Sequence, residues 1–78
     1  MIHELKTIQP YFEHLWEHQK SFEVRFNDRN FSVGDTLILK EYDRNTGYSG
    51  RAVTMRVAYF MDDPEYVKPG YVVMGVEI

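Results

Sequence analysis

Residues Lys20–Arg29 read KSFEVRFNDR, and the stretch from Ser21 to Phe26 alternates strictly between polar and apolar. Successive side chains of an extended chain point to opposite faces. Phe22, Val24 and Phe26 therefore share one side and Ser21, Glu23 and Arg25 the other. The pattern predicts a strand over Ser21–Phe26, with its apolar side expected in a core and its polar side expected either in water or on the floor of a binding site. Asn27-Asp28-Arg29-Asn30 then carries turn chemistry, in which Asn27 and Asp28 bond backbone N–H groups and Arg29 caps the strand or reaches the site.

On the N-terminal side, Ile2–Thr7 reads as a short strand, and Gln9-Pro10 puts a proline where a helix tolerates it. A helix is predicted from Pro10 to His18. Phe12, Leu15 and Trp16 recur at the spacing of one buried face, with Glu13, His14 and Glu17 opposite. On the C-terminal side, Val33-Gly34-Asp35 is a turn and Thr36–Tyr42 a strand. Asp43–Gly50 is a polar loop punctuated by glycine, and Arg51–Met61 is a long strand with Val53, Met55, Val57 and Tyr59 on one side. Asp62-Asp63-Pro64 closes that strand, and Tyr71–Ile78 is the last. Trp16, Phe31 and Val33 are expected in the core. Five strands and one early helix predict an α+β, mainly β fold, a small mixed sheet curled into a barrel under one covering helix. Residues 1–78 make a single domain.

At 78 residues the chain buries only roughly 60% of its unfolded surface. A composition 44% hydrophobic, 15% aromatic and 27% charged still supports a compact core. The absence of cysteine excludes disulfides, thiol nucleophiles and cysteine-based zinc sites, and in so small a domain favours a reducing cytoplasm. The first residues lack the basic and apolar blocks of a signal peptide, and no window reaches the roughly 20 apolar residues of a membrane span. A cytoplasmic location, away from membranes, is expected. A net charge of -3 means that any nucleic acid must be held by a local basic patch.

Two constellations offer such a patch. Lys20, Ser21, Glu23 and Arg25 bring two cations, a hydroxyl and a carboxylate to one strand, where Arg forks two bonds to a phosphate or base edge and Glu accepts from an exocyclic amino group. Arg44, Tyr48 and Arg51 bracket the polar loop, a ring flanked by guanidinium groups that suits a stacked base and its phosphate, with Arg51 the residue favoured for the ligand. His14-Leu15-Trp16-Glu17-His18 fits the H-x-x-E-H zinc pattern. Its helix must spend Leu15 and Trp16 on a small core, and no third ligand is evident, so neither metal nor cofactor is expected.

Taken in order, Ile2-His3-Glu4-Leu5-Lys6, the amphipathic helix, Lys20–Arg25, Asn27-Asp28-Arg29-x-Phe31-x-Val33-Gly34-Asp35 and Thr46-Gly47-Tyr48-x-Gly50-Arg51 resemble the DUF3850 family, in the ASCH group of PUA-like domains. The resemblance covers nearly the whole chain. It implies a PUA-like β-barrel and binding of RNA or a modified nucleoside. In related hydrolases that deacetylate N4-acetylcytidine, a strand lysine is the base, a nearby threonine the nucleophile and a distant glutamate the acid. Lys20 matches the first, whereas Glu23 stands at the nucleophile's place. The family's usual glycine at the helix end is also missing from Glu17-His18-Gln19-Lys20.

The leading expectation is a module that binds RNA or a nucleoside through Lys20, Ser21, Glu23 and Arg25, with Arg29, Tyr48 and Arg51 in reach. An amidohydrolase using Lys20 as base, and a protein-interaction domain docking a partner on an exposed sheet edge, are the alternatives.

Overall fold

A computed structural model of the chain describes residues 1–78. In order, the elements are β1 (Ile2–Thr7), α1 (Tyr11–Trp16), β2 (Phe22–Phe26), β3 (Thr36–Asp43), β4 (Gly47–Met61) and β5 (Tyr71–Glu77). They form one five-stranded sheet in the order β1-β3-β4-β5-β2. Only the β1–β3 pair is parallel, because the helix lies between β1 and the strands that follow it. The sheet is mainly β and curls into a half-barrel, with Leu5, Leu15, Phe31, Leu37, Leu39, Met55, Val57, Val72, Met74 and Val76 packed in its hollow. No helix is long and apolar enough to cross a membrane.

The expected orientation of β2 is reversed. Its register sets Glu23 beside Met74 and Arg25 beside Val72, and cross-strand partners share a face. Met74 and Val72 are buried, so Glu23 and Arg25 turn inward with them, Glu23 to only 3% exposure. Phe22, Val24 and Phe26 face outward at 47%, 51% and 55% exposure. Two things make this tolerable. Inside, the charges neutralise one another. Outside, Phe26 lies on Gly70, where a Cβ would meet its ring at 2.7 Å, and sets its edge against Tyr71 at 5.4 Å.

Smaller differences have local causes. The helix stops at Trp16 because His18 takes the left-handed conformation, φ 60°, that a glycine usually fills. Trp16 is exposed rather than core, stacked on Phe12 at 5.9 Å, and Val33 stands out in its turn. The polar loop contracts to Arg44–Thr46, since Asp43 Oδ1 accepts the N–H groups of Asn45 and Thr46 and Gly47, φ 82°, already begins β4. A register shift between Val57 and Tyr59 breaks the alternation, so Tyr59 swings out and Phe60 packs against the core instead.

Candidate functional site

The two edges of the half-barrel, β1 and β2, are joined by side chains and not by a backbone ladder. Arg25 Nη1 donates to the Lys6 carbonyl at 3.0 Å and its Nη2 to Thr7 Oγ1 at 3.1 Å, while Arg29 Nη1 donates to the Glu4 carbonyl at 3.0 Å. Outside this seam runs a groove of about 410 Å³. Its walls carry the cations Lys6, Arg25 and Arg29, the rings Phe26 and Tyr48, and the carboxylates Glu4 and Asp28.

Arg25 also reaches a second layer. Its Nη2 lies 3.5 Å from Glu23 Oε1, and Lys20 Nζ donates to Glu23 Oε2 at 2.9 Å. The side chains of Glu23, Lys20 and Arg25 are 4%, 13% and 23% exposed. One carboxylate is thus buried between two cations, the condition under which a charge is tolerated away from water. Its Oε1 has no hydrogen-bond partner, only the Arg25 guanidinium at 3.5 Å. Lys20 further lies over the Phe22 ring at 5.3 Å.

Of the residues singled out from sequence, Lys20, Glu23 and Arg25 meet, and Arg29 and Tyr48 share the groove with Arg25. Tyr48 is 54% exposed, edge-on to Tyr42 at 5.0 Å with Lys40 over its ring. Ser21 is exposed, and its carbonyl accepts from Val76 N–H.

Arg51 is placed elsewhere. It forks two bonds to Glu41 at 2.9 and 3.0 Å, donates to Glu13 at 3.0 Å, and covers the rings of Phe12 and Trp16. It clips α1 to the β3–β4 hairpin. The Arg51 guanidinium, then the Ser49 hydroxyl, hold the Glu41 carboxyl down to about 2. Arg51, expected to serve a ligand, has its Nε and Nη2 engaged by Glu41 and Glu13 in this structural clip.

Lys6 and Thr7 escaped the sequence reading, although the alternation of β1 already separates an outward Lys6 from an inward Thr7. A second buried polar pair also did. His3 Nε2 and Asp35 Oδ2 are 2.8 Å apart, Asp35 further accepts from Ser32 N–H and the terminal amino group, and the His3 contact leads in holding its carboxyl at about 2. Nowhere do three or more His, Cys, Asp or Glu side chains gather as a metal would require.

Comparison with known proteins places the chain among relatives. It is 37% identical over 67 residues to the uncharacterized 12.9 kDa protein in the GpA 3′ region of Escherichia phage P2; the match takes in 86% of this chain and 61% of that protein. The model of the family described as a domain of unknown function, DUF3850, matches residues 2–76. From its second residue almost to its last, the chain is thus a member of the DUF3850 family.

Proposed function

We propose that this domain is a cytoplasmic module that binds RNA or a nucleotide in the seam groove, with Arg25 as the principal anchor. The observation that carries the reading is the groove's composition: Lys6, Arg25 and Arg29 stand with the Phe26 and Tyr48 rings around about 410 Å³, the order of volume that small-molecule sites occupy. Cations suit the phosphate and rings suit the base. Arg25 now donates to a neutral carbonyl and a hydroxyl, with the Glu23 carboxylate 3.5 Å from its Nη2. Bonds from guanidinium to phosphate are charge-assisted and stronger, so a phosphate in the groove replaces those partners favourably. The resemblance to the ASCH group of PUA-like domains supports the same reading, by analogy of fold.

The hydrolase alternative is the weaker one. Where it needs a hydroxyl nucleophile, the chain has Glu23, a carboxylate bonded to the intended base Lys20 at 2.9 Å.

The test is titration with nucleoside monophosphates and short single-stranded RNAs at two salt concentrations, on the native chain, Arg25→Lys and Arg29→Ala. Arg25→Lys keeps the charge and loses the fork, so a fall in affinity of about tenfold is expected. Arg29→Ala, which removes a cation, should also flatten the salt dependence, whereas Arg25→Lys should leave its slope nearly unchanged. Absence of binding at low salt, or binding indifferent to both variants, overturns the proposal.

A further inference from the structure

The outer side of β2 poses a separate question, because all three of its outward residues are large and apolar. Phe22, Val24 and Phe26 are about half exposed, and Tyr71 of β5 continues their surface at 40%. Beside them is a hollow of about 390 Å³ lined by Val24, Tyr66, Val67, Lys68 and Tyr71. Contiguous apolar surface of this kind on a small domain marks a place where another molecule sits. The rim identifies what kind. Asp62, Asp63 and Glu65 are exposed, and no cation is paired with any of them. The three belong to the turn that leads into the hollow, where the Asp63 carbonyl accepts the N–H groups of Tyr66 and Val67 and its Oδ1 accepts that of Glu65.

We propose that the outer face of β2 and β5 docks a protein segment that lays an apolar side chain into the Val24–Tyr66–Tyr71 hollow and sets Lys or Arg against Asp62, Asp63 and Glu65. The apolar floor supplies area and the acidic rim supplies orientation. Three carboxylates beside Lys68, the one cation lining the hollow, disfavour a phosphate backbone there. The chain's own charge of -3 likewise disfavours a second copy. The hollow is separate from the seam groove, because none of its lining residues lines that groove, and Phe26 at the end of β2 borders both.

Selection from a random-peptide display library on the full chain tests this. Enriched peptides should combine a large apolar residue with at least two Lys or Arg. A synthetic peptide of the enriched sequence should lose about tenfold in affinity on Val24→Asp or Tyr66→Ala, and a comparable factor when Asp62, Asp63 and Glu65 are replaced together by their amides. Both residues are exposed, so circular dichroism should report an unchanged fold, and the nucleotide titrations above should be unaffected. Recovery of no peptide, of peptides without basic residues, or of peptides that still bind Val24→Asp overturns the proposal. So does competition by oligonucleotide. Self-association in sedimentation that Val24→Asp abolishes would make the occupant a second copy, and the proposal would fall.

Discussion

β5 and β2 are hydrogen-bonded neighbours with opposite interiors. β5 sends Val72, Met74 and Val76 into the hollow of the sheet, whereas β2, in register beside it, sends Glu23 and Arg25. The half-barrel is therefore lined in two materials. Its centre is apolar and gains stability from removing that surface from water. Its open side is charged, and there every inward group must be matched by another or be costly. The contrast shows that an inward position and an apolar position are different things in this fold. Burial is set by the register with β5, and chemistry is then chosen for what lies across the seam.

Glu23→Ala should break the polar half most severely. It leaves Lys20 and Arg25 crowded without their carboxylate, and a loss of about 3 to 5 kcal/mol is expected by chemical denaturation. The triple replacement of Lys20, Glu23 and Arg25 by apolar residues sharpens the point, since it removes both signs together and should recover most of that loss. Met74→Ala, on the same face one strand away, should cost about 2 to 5 kcal/mol by leaving a cavity. Arg25→Ala gives up two seam bonds and an ion pair and should cost about 2 kcal/mol. Phe22→Ser lies last. The ring is half exposed, so a change under about 1 kcal/mol is expected, and a loss as large as that of Met74→Ala would mean that the outer face is core after all.

Acid should act on the buried Asp35 carboxylate. The Asp35 carboxyl is held at about 2, below its ordinary 3.8. Its contribution is complete above the unfolded value and fades as pH falls from about 4 toward 2. Asp35→Asn should therefore flatten this part of the acid-denaturation curve, and an unchanged curve would refute the assignment to Asp35.

Much of this was open to reading in the sequence. Ile2–Thr7 and the start of Thr36–Asp43 follow from their flanking turn residues, and β5 from its unbroken apolar run. Alternation in β2 likewise revealed two faces. It did not say which was inside, because a period of two is unchanged when the strand is turned over. Only the register with β5, which no local pattern encodes, decides it. The partners of Arg51 were hidden for a related reason: Glu13, in the helix, is 38 positions away. The bulge at Val57–Tyr59 hid behind an alternation that looked continuous. Arg25 and Arg29, singled out from β2 and its turn, and Tyr48, singled out from the distant β3–β4 loop, line one groove, a meeting that no local pattern encodes.

The arginine staples have a kinetic side. Lys6 and Glu4 offer their carbonyls to Arg25 and Arg29 where a sixth strand would otherwise pair. Guanidinium groups on a free edge deter templated growth onto a neighbouring chain. They also make the seam cheap to part, because opening it breaks side-chain bonds and leaves every rung of the sheet in place. With the seam open, β1 and β2 are each held by a single ladder, so in amide hydrogen exchange they should fray and lose protection well before β3 and β4, which are paired on both sides.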